Sequence, residues 1–304
     1  MACGNLRKNA ERALRAPPWE VNTLAIFTNQ ATLFYTGGSI NSNITTGEIL
    51  DAVSVSKTAV SASYTPDGTI VYALSIVNTG AFAVTDVTVV DDLGAYAFEE
   101  TTVYPLSYVD GSLLYFVDGT AEPAPPVSAG DTLTISGISV PAGDSVMLIY
   151  EARVTAFAPL GEDAVITNTV TVTGSCIPTP LTASATVSMA LTPRLSIAKS
   201  VSPQVLSGCS ELTYTFVIQN AGSEAGPDAA VVVTDAFDPR LRDLSVSLDG
   251  ALLPASAYSY SETTGVFTTN PGLITVPAAE FTQNADGSWM TTPGIAVLTV
   301  TGNV

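Results

Sequence analysis

The sequence contains no histidine. That absence removes Ser-His-Asp and Cys-His catalysis, together with the commonest ligand for transition metals. Cysteine is scarce. Cys3, Cys176 and Cys209 show no CxxC spacing, so neither a zinc site nor a thioredoxin-like motif is supported, and no metal or other cofactor is expected. Basic residues are also few: ten Lys and Arg stand against 28 Asp and Glu, a formal charge of −18. Such a balance opposes binding to nucleic acid or to an anionic membrane, because the electrostatic term is repulsive. No apolar run is long enough to span a bilayer. The opening residues have four basic side chains (Arg7, Lys8, Arg12, Arg15) but no apolar stretch of the signal-peptide kind.

Small and β-branched residues dominate what remains. Val, Thr, Ala and Ser recur in short runs, with 23 Gly and 19 Pro between them, which is the make-up of an all-β sandwich. Pro66-Asp-Gly68, Asp110-Gly111, Asp118-Gly119 and Ala129-Gly130 supply turn chemistry. Helical apolar periodicity is absent after residue 23.

The two halves of the chain repeat each other. Lys57, Tyr72 and Asn78-Thr-Gly80 fall at the same offsets as Lys199, Tyr214 and Asn220-Ala-Gly222, and Asp91 matches Asp235 two residues later. The expectation is two tandem immunoglobulin-like sandwiches, 48–192 and 193–304, preceded by an N-terminal donor strand and connector, 24–47. The first copy closes with Pro141–Tyr150 and then Ile166-Thr-Asn-Thr-Val-Thr-Val-Thr-Gly174. In the second copy Pro293–Thr301 is read as the counterpart of the former, and the last strand has no counterpart after it. The only other stretch resembling that strand is Phe27–Gly37. Thr28, Asn29, Gln30, Ala31, Thr32, Leu33, Phe34 and Tyr35 are therefore expected to form an extended strand, with Ala31, Leu33 and Tyr35 on one face. Ser39–Thr46 reads as a polar connector.

Residues 1–23 differ in composition from the rest. They read either as a short amphipathic helix broken by Pro17-Pro18, or as a non-native or disordered leader from upstream translation. In the latter case Trp19-Glu-Val21 is encoded by a purine-rich ribosome-binding sequence and the native chain begins at Leu24. Cys176 and Cys209 are read either as an interdomain disulfide or as free thiols used between molecules.

The order Lys-Thr, Val-Tyr, Asn-Thr-Gly, Val-Thr-Val, Asp, closing with Pro-Ala-Gly and Thr-Asn-Thr-Val-Thr-Val-Thr-Gly, resembles a bacterial surface repeat, the conserved domain of unknown function eleven. The resemblance covers about residues 24–304. It includes the Asn29-Gln-Ala-Thr opening of a two-repeat clostridial subgroup. It implies sandwiches on Gram-positive surfaces, and short members resemble proteins of the ribbon-like appendages of clostridial spores. The absence of a signal peptide and wall anchor fits a spore component assembled from the mother-cell cytoplasm.

One reaction needs neither histidine nor cofactor. A lysine amine buried beside an asparagine carboxamide and a carboxylic acid can form an isopeptide bond, since burial makes the amine nucleophilic and the acid a proton donor. Related pilin sandwiches place Lys on an early strand, the acid mid-domain and Asn on the last strand. Lys57, Asp91 (or Asp92) and Asn168 stand in that order, and alternation puts Lys57 on the face of Val53 and Val55. The plain alternative makes Lys57 an edge-strand charge that guards against aggregation, with Asp91 a turn residue. In the second copy Lys199 and Asp235 remain without an asparagine strand. Asn29 of a neighbouring molecule would complete that set. The expected function is a structural subunit of an extracellular fibre or spore appendage. Its partners are itself, head to tail, and other surface or spore-coat proteins. The competing reading is an adhesin with the strand folded back on its own chain; an enzyme is the least supported class.

Overall fold

The computed structural model describes residues 25–49, 52–205, 210–226 and 231–304. The leader at 1–23 therefore lies outside the described residues. Strands dominate, and the only helical element among the described residues is a single 3-10 turn, Ala255–Ala257. The chain divides into two compact units, with the boundary between Ser54 and Val55.

The described part of the N-terminal unit is a hairpin. Strand β1 (Ala25–Asn29) pairs antiparallel with β4 (Thr45–Ile49), and β2 (Thr32–Tyr35) pairs with β3 (Gly38–Asn41). The register slips by one residue between the two ladders. Gly37, at φ 117°, closes the two-residue turn between Tyr35 and Gly38, a conformation that glycine alone adopts freely. Ser39–Thr46, read from sequence as a connector, is largely the returning arm of this hairpin. The Gly37-Gly38 turn brings Ser39-Ile-Asn41 back alongside Thr32–Phe34, which satisfies backbone groups that a lone strand leaves unpaired. Both faces of the β2–β3 ladder are bare: Leu33 is 64% exposed, Phe34 78% and Ile40 60%.

The second unit holds two sandwiches. In the first, one sheet has the order β13 (Thr120–Glu122), β12 (Leu114–Val117), β16 (Ser145–Val154), β7 (Thr69–Asn78), β5 (Val53–Ala59), with β11 (Leu106–Tyr108) also on β16. The facing sheet runs β14 (Val127–Ala129), β15 (Leu133–Val140), β8 (Val84–Asp91), β17 (Val165–Thr173), β18 (Leu181–Met189), β6 (Ser63–Tyr64). A ribbon of β9 (Tyr96–Phe98) and β10 (Thr101–Val103) completes it. Alternation is regular: Ile70, Tyr72, Leu74 and Ile76 of β7 and Ile166, Asn168, Val170 and Val172 of β17 all point into the core.

In the second sandwich one sheet is β19 (Leu195–Ser202), β20 (Glu211–Asn220), β28 (Gly294–Asn303), β22 (Arg242–Leu248), β23 (Ala251–Leu252). Among the described residues the facing sheet has three strands, β21 (Thr234–Ala236), β25 (Val266–Thr269) and β24 (Tyr258–Tyr260). Its core gathers Leu212, Phe216, Phe237, Phe267, Leu298 and Val300. The Asp118-Gly119 turn of β12–β13 recurs as Asp249-Gly250 between β22 and β23, each pair at positive φ, as a tight hairpin requires.

The repeated Asn-Xaa-Gly motif has a bracing role. The Asn78 amide donates to the carbonyls of Phe82, Val140 and Pro141, and its oxygen accepts from Gly80. Asn220 does the same with Glu224, Pro277 and Gly222. This equivalence corrects the alignment read from sequence: the counterpart of Pro141 is Pro277, not Pro293. Between Pro277 and β28 a hairpin of β26 (Glu280–Gln283) and β27 (Trp289–Thr292) is inserted. It lies on the first sandwich, where the Trp289 N–H donates to Ala156 O at 2.7 Å and Gln283 Nε2 meets the Tyr96 hydroxyl at 3.2 Å. The linker is held as well. Arg194 N–H donates to Asn220 Oδ1, and a Cβ on Gly222 would sit 2.1 Å from Thr192 O.

Candidate functional site: a buried lysine–aspartate pair and an open sheet edge

Lys57 enters the first core from β5, the edge strand of its sheet, and meets Asp91 at the end of β8 in the facing sheet. Its Nζ donates to Asp91 Oδ2 at 2.7 Å, and the two side chains are 0% and 1% exposed. Sequence alternation indicated the inward face, and Lys57 is buried there rather than standing guard in solvent. Asp91 is saturated with donors. Oδ1 accepts the Leu93 N–H at 2.8 Å, and Oδ2 also accepts the Tyr150 hydroxyl from β16. The ammonium lies 4.8 Å from the Tyr72 ring centre. Asp92, weighed as the alternative acid, turns outward from this cluster: its Oδ1 accepts from Gly94 and Thr169.

Asn168 occupies β17 beside β8. Val170 pairs with Asp91, so Asn168 lies one diagonal step from Asp91 on the same inward face. It is 0% exposed, and neither Nδ2 nor Oδ1 has a hydrogen-bond partner, although it lies near enough to the Tyr72 and Tyr150 hydroxyls to ease their ionisation. A buried carboxamide with both ends unpaired costs on the order of 1–3 kcal/mol for each group.

Burial pulls the Lys57 amine below the ordinary lysine value, opposed by the neighbouring Asp91. Burial pushes the Tyr150 and Tyr72 phenols up, as do the Asp91 charge and, at Tyr150, the bond to Asp91. In so dry a site one proton shift converts the ion pair into a neutral amine and a neutral acid, the reactive forms for attack on a carboxamide. Tyr150 was given no role from sequence. The signal was present in the alternation of β16, which turns Tyr150 inward opposite Tyr72.

The second sandwich repeats part of this set. Lys199 is hydrogen-bonded to Asp235 Oδ2, and its Nζ lies 4.5 Å from the Tyr214 ring centre. Asp235 faces Phe267 across the ladder as Asp91 faces Leu133. Two things differ. Val300 pairs with Tyr214 where Tyr150 pairs with Tyr72, so that phenol is missing. Among the described residues no strand lies on the far side of β21, where β8 has β17. Consequently the Lys199 and Asp235 side chains are 40% and 19% exposed. The backbone registers the same gap. Asp92 N–H donates to Thr169 O of β17, whereas the equivalent Ala236 N–H is satisfied by its own Asp235 Oδ1. Strand alternation turns the backbone groups of Thr234 and Ala236 toward that open side.

Asn29 ends β1, exposed, with Thr45 as its ladder partner. Thr28 shares β1, Thr32–Tyr35 form β2, and Gln30 and Ala31 bond to Ser42 between the two strands. Cys176 is an exposed free thiol at φ 61°, and Cys209 lies outside the described residues. Among the described residues no cluster of three or more His, Cys, Asp or Glu could hold a metal ion. No helix there is long and apolar enough to cross a membrane.

No family model matches the chain, and no curated protein does. Among solved structures, the major pilin subunit BcpA of Bacillus cereus is similar over 88% of this chain and 73% of its own, at 11% identity and a TM-score of 0.34. The full-length major pilin SpaD of Corynebacterium diphtheriae is similar over 79% of this chain and 58% of its own, at 12% identity and 0.34. The bacterial hydrophobin BslA is similar over 47% of this chain and 96% of its own, at 15% identity and 0.28. Scores this low carry no information on function.

Proposed function

We propose that the protein is a structural subunit of an extracellular fibre, assembled by pairing the N-terminal segment of one copy with the open edge of the second sandwich in the next. One observation carries this reading: among the described residues β21 keeps its core face and its Lys–Asp pair but has a bare ladder edge, while the N-terminal hairpin, exposed over residues 28–46, bears the one other copy of the β17 pattern. Edge pairing supplies main-chain hydrogen bonds, and alternate side chains supply fit. The contact joins unlike surfaces, so it propagates as a filament unless it closes into a ring. Within each subunit, Lys57 and Asn168 condense to an isopeptide bond with Asp91 as proton shuttle, releasing ammonia and removing the orphaned carboxamide. The resemblance to the conserved surface repeat, and to its two-repeat clostridial subgroup, supports placing such a fibre on a spore surface.

Native-gel electrophoresis and negative-stain microscopy of the purified chain test the assembly. Wild type is expected to form filaments. Ala236→Pro, which removes an N–H facing the open edge, is expected to abolish them with a near-unchanged far-UV spectrum. A monomer in both proteins, at concentrations well above micromolar, would instead favour a binding module.

A further inference from the structure

We propose that this assembly is covalent: the 25–49 hairpin of one copy docks whole against β21 of a second copy, with Ala31 opposite Asp235, and Lys199 of the acceptor forms an isopeptide bond with Asn29 of the donor. The inference rests on the strand-donation reading.

Three observations fix the register. Thr28-Asn-Gln-Ala-Thr-Leu33 matches Thr167-Asn-Thr-Val-Thr-Val172 position for position in alternation, with asparagine at the same place. In β17 the inward residues are Asn168, Val170 and Val172, so the match sends Asn29, Ala31 and Leu33 inward. Val170 pairs with Asp91, which puts Ala31 opposite Asp235 and Asn29 one diagonal step away, the relation that Asn168 has to Asp91. Second, the acceptor lacks counterparts of both β17 and β18 among the described residues, and the donor is already two-stranded. Asn29 is paired with Thr45 as Asn168 is paired with Ala185. The hairpin therefore replaces the missing pair without first unpairing. Third, Lys199 and Asp235 retain 40% and 19% exposure where the covered pair has 0% and 1%, which is the surface an added strand removes.

Covering the pair dries it, and burial favours the neutral amine and acid over the ions. The Lys199 amine then attacks Cγ of Asn29. Asp235 takes a proton from the attacking nitrogen and delivers one to Nδ2, the Cγ–Nδ2 bond breaks and ammonia leaves. No oxidant, metal or cofactor enters the balance.

The test uses the full chain, assembled from a mixture of isotope-labelled and unlabelled protein. Native filaments, denaturing gels after boiling with reductant, and mass spectrometry of the digest are read together. The expected result is a denaturant-resistant ladder, with a peptide pair joining Lys199 to Asn29, lighter by one ammonia and carrying mixed labels. Asn29→Ala and Lys199→Arg should keep native filaments but fall to monomer on the denaturing gel. Wild-type filaments that dissociate fully in detergent, or a ladder that survives in Asn29→Ala, overturn the crosslink and leave strand donation standing. A Lys199–Asn29 pair with unmixed labels only would make the bond intramolecular and overturn the link between copies. Absence of native filaments in wild type sinks the assembly itself.

Discussion

Replacing Asn168 by leucine separates a structural asparagine from a reacting one by the sign of its effect. Asn168 is fully buried with Nδ2 and Oδ1 both unpaired. If the side chain only fills space, Leu at this site relieves that desolvation at both groups and gains on the order of 2–6 kcal/mol. If Asn168 is bonded to Lys57, the variant loses a crosslink closing a loop of about 110 residues, worth roughly 4–5 kcal/mol by chain entropy. The bonded wild type has no orphaned carboxamide left to relieve, so the net loss is about 4–5 kcal/mol. For a sandwich of this size, with roughly 2–4 °C per kcal/mol, the Tm falls by about 8–20 °C in one case and rises by several degrees in the other. Calorimetry gives the Tm, and intact mass gives the bond directly, since wild type must be lighter than its sequence by one ammonia for each bond formed. An unmodified wild-type mass together with a raised Tm in Asn168→Leu would refute the reasoning.

Lys57→Met leaves Asp91 buried without its partner and also prevents the crosslink; in urea unfolding, adding Asp91→Leu should recover only the buried-charge part, about 3–5 kcal/mol. Tyr150→Phe removes a proton donor from Asp91 and is expected to slow ammonia loss in a refolding time course followed by mass spectrometry, with the final product unchanged. Tyr64, Tyr72 and Tyr150 all have phenols pushed above 10.0 by burial, so the folded state holds their protons longer than the unfolded chain. Stability should therefore be intact below pH 10 and fall as pH rises beyond it, read as a declining Tm with a further rise in phenolate absorbance on unfolding. Gly287→Val places a side chain 2.9 Å from Val103 and 3.0 Å from Phe98 at φ 84°, and is expected to split one calorimetric transition into two as the sandwiches part.

Much of the architecture was legible because period-two alternation and turn residues leave direct marks. The Lys57 side chain was traceable inward through Val53 and Val55, and the internal repeat paired Asp91 with Asp235 before any strand was placed. The returning arm of the hairpin was not legible, since Ser39–Thr46 is polar apart from Ile40 and Ile44, both of them exposed, and carries no burial signal. Nor was the β26–β27 insertion: Pro293-Gly mimics Pro141-Ala-Gly in sequence, and only the Asn220 bond to Pro277 O distinguishes the two. Tyr150 escaped notice because a tyrosine in a strand reads as ordinary core until its hydroxyl is seen on Asp91.

The β26–β27 insertion has a mechanical consequence. It ties the second sandwich back onto the first through Trp289 and Gln283, while Gly222 lets the linker backbone lie directly on the Asn220 loop. Bending stress applied to such a body meets resistance at these contacts rather than yielding at residues 190–194. Compliance in any filament built from it is thereby displaced to the joints between copies. Thermal undulation would then come in steps of one subunit length, and the bending modulus would be set by the junction alone.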